Sequence, residues 1–90
     1  MPTVKFTYAL RRFFPELKET EIDCQNLSEL MDKVDMQYPG LKNYILDERG
    51  ASRKHVNIFI DSTLIKDRTT LTDAIDQNTE VYILQALSGG

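Results

Sequence analysis

A single cysteine, Cys24, and a single histidine, His55, leave this chain with few of the side chains on which covalent and metal chemistry depend. One cysteine forms no internal disulfide and does not supply the three or four clustered ligands of a structural zinc site. A reducing, cytoplasmic setting is therefore expected. Positive charge is also in short supply: eleven Lys and Arg against fourteen Asp and Glu leave a net charge of -3. Nothing overall attracts a phosphate backbone, and nucleic acid is not an expected partner. No apolar run approaches the ~20 residues that span a bilayer, and no basic-then-apolar signal layout opens the chain, so no membrane contact is expected. Neither GxGxxG after a strand nor GxxxxGK[ST] occurs, so the chain has no evident means of holding a nucleotide itself. Ninety residues leave no length for a second core.

What is present describes an ordered domain, because 41% apolar residues supply enough buried surface to offset chain entropy. Val4, Phe6, Tyr8 and Leu10 alternate with Lys5, Thr7 and Ala9, which predicts a strand over Thr3 to Leu10. Pro15 marks the connection to a second strand near Glu19 to Cys24, and strands this close in sequence pair antiparallel. From Asn26 the period changes. Leu27, Leu30, Met31, Val34 and Tyr38 fall at helical spacing behind an Asn26/Glu29 capping box, predicting about three turns that Pro39-Gly40 ends. Leu41, Tyr44 and Ile45 suit a second helical turn, and Asp47 to Lys54 reads as a surface loop. His55 to Ile60 alternates again. A turn at Asp61-Ser62 leads to a short edge strand at Leu64-Ile65, Leu71 and Ile75 suggest one helical turn capped by Thr70, and Glu80 to Ala86 is the last strand. One helix across a mixed sheet of four to five strands is an α+β arrangement. Its core is expected to comprise Val4, Phe6, Leu27, Leu30, Met31, Val34, Val56, Ile58, Ile60, Leu71, Val81 and Ile83.

Candidates for catalysis are weak. His55 begins a strand beside Arg53 and Lys54, where an exposed side chain is the ordinary outcome. Cys24 has Asp23 and Glu21 as neighbours, which would raise its thiol pKa, and buried cysteines are commonly structural. The carboxylate pairs Asp47-Glu48, Asp32/Asp35 and Asp73/Asp76 have spacings that solvated turns and helices produce everywhere. Basic residues collect at Arg11-Arg12, next to Phe13 and Phe14, and at Arg49, Arg53 and Lys54. Such clusters hold an acidic partner protein or simply face solvent.

The final residues carry more information. Leu87-Ser88-Gly89-Gly90 follows directly on the last strand, and although Gly and Ser also suit a frayed terminus, two glycines behind a small rigid domain make a thin stalk. Without side chains, such a stalk enters a narrow active-site tunnel and takes backbone angles closed to other residues.

The order strand, strand, helix, strand, short turn, strand, Gly89-Gly90 resembles the ubiquitin-like β-grasp fold. More narrowly, the chain resembles the sulfur-carrier family that includes the small subunit of molybdopterin synthase and the thiamine sulfur carrier. The stretches that carry the likeness are Tyr38-Pro39-Gly40-Leu41, Leu46-Asp47-Glu48-Arg49-Gly50, Val56-Asn57-Ile58-Phe59-Ile60 and the diglycine. The long loop before Val56 is similar to the subgroup serving a cysteine-synthesis route. Asp61-Ser62-Thr63 departs from the family's Asn and Gly turn, Gln77-Asn78-Thr79-Glu80 from an acidic Asp-Gly-Asp-Glu type turn, and Gln85 from a common proline.

The resemblance implies a β-grasp domain over 1–86 and a flexible tail over 87–90. It implies a carrier rather than an enzyme, with no cofactor of its own. A ubiquitin-activating-type adenylyltransferase would spend ATP and magnesium on the Gly90 carboxylate, and the resulting thiocarboxylate would serve a sulfur-acceptor biosynthetic enzyme of the cysteine, molybdopterin or thiamine type. The alternatives are a protein modifier joined through Gly90 to lysines of target proteins and a plain interaction domain; carrier and modifier need the same activated tail. Alternation places Phe59, Tyr82 and Leu84 on the outer face beside that tail, where they are expected to dock the partners unless the turn around Leu64 covers them.

Overall fold

The computed structural model describes residues 1–85. Its first strand, β1 (Thr3–Phe6), buries Val4 and Phe6, as the two-residue period requires. The expected strand ran to Leu10, but the chain coils at Tyr8–Arg11 into a short helix, α1, that buries Ala9 and Leu10 and exposes Tyr8. Thr7 remains extended and donates its N–H to the Ile83 carbonyl, closing the ladder before the turn. Burying two adjacent residues, Ala9 and Leu10, is possible in a helical turn and impossible on one face of a strand.

Strand β2 (Thr20–Glu21) pairs antiparallel with β1, with Val4 opposite Thr20. It is shorter than expected, and Ile22 and Cys24 reach the core from irregular chain. Helix α2 (Leu27–Gln37) buries Leu27, Leu30, Met31 and Val34 on one stripe. Its cap forms as the sequence predicts, with Asn26 Oδ1 accepting the Glu29 N–H at 2.8 Å. The reciprocal bond closes one residue early, because Glu29 Oε1 accepts from the Gln25 N–H. At the far end Gly40 adopts φ 96°, and Asp35 Oδ1 accepts the N–H groups of Gly40 and Lys42, turning the chain into α3 (Leu41–Ile45). The loop that follows is organised by Asp47, whose Oδ1 accepts the N–H groups of Arg49 and Ala51. Those two donors hold its carboxyl below the usual carboxylate range.

Strands β3 (Val56–Ile60), β4 (Thr63–Leu64) and β5 (Glu80–Gln85) complete a five-stranded sheet of order β2-β1-β5-β3-β4. The central pair, β1 and β5, is parallel and the other pairs are antiparallel. Ala86, the expected end of the last strand, lies outside the described residues. One sheet face presents Val4, Phe6, Val56, Ile58, Val81 and Ile83 to the core cluster that α2 completes. The remaining expected core residues are buried too, except Ile60, which is half-buried because it closes β3 at the exposed hairpin.

The helical turn expected at Leu71 is absent. Asp67 accepts the N–H groups of Thr69, Thr70 and Thr72 and the hydroxyls of Thr70 and Thr72, so Thr70 serves Asp67 instead of capping a helix. These donors, the Thr70 hydroxyl first among them, hold the Asp67 carboxyl far below its ordinary range. Leu71 takes φ 56° and is nevertheless buried, as is Ile75.

The hairpin between β3 and β4 turns on Asp61 (φ 49°) and Ser62 (φ 71°). Left-handed geometry at both central residues is the mirror-image turn that Asn-Gly favours. Ser62→Gly removes a Cβ strain of about 1–2 kcal/mol against an entropic loss of roughly 0.5–1, so a net gain of about 0.5–1 kcal/mol is expected. Chemical denaturation measures it; a lower midpoint would show that Ser62 is not strained.

Candidate functional site

The second face of the sheet carries no helix-packed core, and its outward residues form the candidate site. Cross-strand register sets Phe59 opposite Tyr82 and Asn57 opposite Leu84, which brings the three expected docking residues, Phe59, Tyr82 and Leu84, onto one surface. Together with Asp61, Ser62 and Glu80 they line an open depression of about 510 Å³. Tyr82 is 40% exposed, while Phe59 and Leu84 are half-buried. Lys5 sits opposite Tyr82 and borders the depression through an ion pair to Glu80 at 2.7 Å. That carboxylate raises the Lys5 pKa.

Leu64 does not cover the three residues. It is opposite Phe59 in the β3–β4 register and 45% exposed, so it lengthens the apolar surface. The sequence contained the signal: a two-residue turn at Asp61-Ser62 pairs Ile60 with Thr63 and hence Phe59 with Leu64.

Most of the residues weighed for catalysis are engaged elsewhere. Cys24 is buried, and burial first, then the nearby Glu29, pushes its thiol up. A raised pKa leaves little thiolate to act as a nucleophile. His55, expected to begin a strand, is exposed in the turn just before β3. Asp32 pairs with Lys42, Asp73 accepts the N–H groups of Lys66 and Asp67, and Asp76 bonds the buried Thr79 hydroxyl. Among the described residues, no three His, Cys, Asp or Glu side chains gather as metal ligands, and no helix is long and apolar enough to cross a membrane. Leu87, Ser88, Gly89 and Gly90 lie outside the described residues; the last described residue, Gln85, pairs with Val56 beside Asn57 and Leu84.

The sequence matches the ThiS family over residues 4–90. The chain belongs to this family. Solved structures share its fold at low identity. The Amycolatopsis orientalis BexX/CysO complex contains a chain with TM-score 0.85 and 21% identity, all of both chains being covered. Mycobacterium tuberculosis CysO gives 0.83 and 22% over 97% of this chain and 100% of its own. Small archaeal modifier protein 1 of Methanosarcina acetivorans gives 0.78 and 22% over 99% and 95%. No curated protein matches. The ThiS assignment agrees with the ubiquitin-like β-grasp reading of the sequence, and it makes the chain a carrier protein rather than an enzyme.

Proposed function

We propose that this ThiS-family chain carries sulfur on Gly90 for a biosynthetic acceptor enzyme. The observation that supports this most is the family match, which runs through Gly90 itself while the one thiol in the chain, Cys24, is buried with its pKa raised. A carboxylate is a poor electrophile, because its charge is delocalised and its leaving group would be oxide. In the reading offered here a Gly90 oxygen attacks the α-phosphorus of ATP on a magnesium-dependent adenylating enzyme, expelling pyrophosphate. Hydrosulfide then attacks the acyl carbon and expels AMP, and loss of one proton leaves the thiocarboxylate. Delivered inside the acceptor enzyme, the terminal sulfur is a nucleophile at high effective concentration and does not diffuse away. The likeness to chains named CysO favours a cysteine-forming acceptor.

The face made by Phe59, Tyr82 and Leu84 adjoins the end of β5, so a partner seated there holds the tail within reach of its active site. Leu84→Asp, which puts a charge into that face, should weaken binding to the adenylating enzyme by ~10²-fold or more while the far-ultraviolet circular dichroism stays native. Equal affinity would remove this face from the reading.

A second reading, conjugation of Gly90 to lysines of other proteins, draws on the likeness to small archaeal modifier protein 1. Intact-protein mass spectrometry after incubation with the adenylating enzyme, ATP and sulfide separates the two. Sulfur transfer appears as replacement of one oxygen by sulfur, and alkylation maps it to Gly90. Sulfur mapped to Cys24, or no mass change with an enzyme shown to bind, defeats the carrier reading. Isopeptide-linked Gly90 in cell extracts favours the modifier.

A further inference from the structure

Away from the docking face, Phe13 stacks on Tyr44 of α3 with ring centroids 4.9 Å apart and an interplanar angle of 29°. Phe14 meets the same ring edge-on and packs against the core, which anchors the group. Phe13 nevertheless stays 55% exposed and Tyr44 38%. An aromatic pair held rigid by its neighbour and left in water is a ready anchor for a partner's apolar side chain.

Two basic segments distant in sequence adjoin the pair, one through Phe13 and one through Tyr44. Arg11 and Arg12 precede Phe13 directly and are exposed. Arg53 lines a shallow depression with Tyr44, and its Nε donates to the Asn43 carbonyl at 3.0 Å, which fixes the guanidinium beside the ring. Lys54 follows it and is exposed.

The strip gathers four cations in a chain of net charge -3. Lys5, Lys33 and Lys42 are satisfied by ion pairs within the fold. Among the described residues Arg11, Arg12, Arg53 and Lys54 enter none, as is also true of Lys18, Arg49, Lys66 and Arg68, but in the strip such cations adjoin an exposed aromatic pair. Arg53 acts on Asp47 at longer range, but that carboxylate is already engaged by the Arg49 and Ala51 N–H groups. The strip also has a telling position: Gln85, the last described residue of β5, lies opposite Val56, two residues after Lys54.

We infer that this strip docks an acidic segment of the adenylating enzyme, carboxylates meeting the arginines and Lys54 and an apolar side chain resting on Phe13 and Tyr44. The inference rests on the carrier reading above. It gives that enzyme a second hold on the carrier, near the Gln85–Val56 pairing that precedes the tail, and charges at such a rim speed encounter and fix orientation.

The test is titration calorimetry of the adenylating enzyme against the wild-type chain and the Arg12→Glu/Lys54→Glu double variant, at low and high salt. Neither side chain has a bond among the described residues, so the thermal midpoint should not move. Wild-type affinity should fall with salt; the double variant should bind roughly tenfold more weakly at low salt and show a flattened salt dependence. Arg12→Gln/Lys54→Gln should lie between them. Equal affinity and equal salt slope overturn the inference, as does wild-type chain that does not bind the enzyme. Loss in the double variant of binding to single-stranded RNA, with enzyme affinity kept, reassigns the strip to nucleic acid. A wild type that binds through the strip but gains no sulfur defeats the carrier reading and leaves the strip standing.

Discussion

Ile58→Ala should destabilise the fold by about 2–5 kcal/mol, a large share of the ~5–15 kcal/mol that holds a small domain together. Ile58 is fully buried at the middle of β3, opposite the equally buried Ile83 on β5. Its carbonyl accepts the Ile65 N–H, which ties it to the chain following β4. Truncation removes the transfer free energy of three carbons and leaves a cavity between two strands and α2, and strands joined on both sides have little freedom to close it. At ~4–8 °C per kcal/mol for a domain of this length, the thermal midpoint should drop by roughly 8 °C or more. Asn57→Ala, one residue away and facing solvent, should change stability by no more than about 0.5 kcal/mol. Similar losses for both variants would mean that the buried face of β3 is assigned wrongly.

That face was legible because period two repeats through both strands, with the β-branched Val56, Ile58 and Val81, Ile83 on one side and Asn57, Phe59, Tyr82 and Leu84 on the other. The three-turn helix was legible for the same reason, and its Asn26 cap supplied a start. Short segments were not. Tyr8 and Leu10 continue an alternation that begins at Val4, yet two residues do not distinguish a strand from one helical turn, and the need to bury Ala9 with Leu10 decided for the helix. Leu71 and Ile75 have helical spacing, but one carboxylate, Asp67, accepts five bonds from the threonine-rich loop and outcompetes a helical turn. At the candidate site, Phe59, Tyr82 and Leu84 followed from alternation alone. Leu64 required the hairpin register. Pairing Phe13 with Tyr44 required the tertiary fold, since no local period relates the α1 connection to α3.

Adding one residue after Gly90 should abolish activation by the adenylating enzyme, and Gly90→Ala should slow it severely. In the proposed chemistry the reacting oxygen must meet the α-phosphorus in line, at the end of a stalk thin enough to enter the enzyme. One further residue displaces the carboxylate by up to ~3.3–3.6 Å. A misplacement of only about 1 Å can lower a rate ~10²-fold, so the extended chain should give no detectable adenylate exchange. The methyl of Gly90→Ala leaves the carboxylate in place but restricts the backbone angles open to glycine and widens the stalk beside the reacting carbon. Pyrophosphate exchange, which reports adenylation without any sulfur donor, measures both. Cys24→Ala is the control: its side chain is buried and its thiol pKa raised, so exchange and sulfur loading should persist at wild-type rates even if stability falls. Thermal midpoints of the two Gly90 variants should match wild type. An extended chain that exchanges as fast as wild type would show that the enzyme does not act on a terminal Gly90 carboxylate, and sulfur loading lost only in Cys24→Ala would move the chemistry to the thiol.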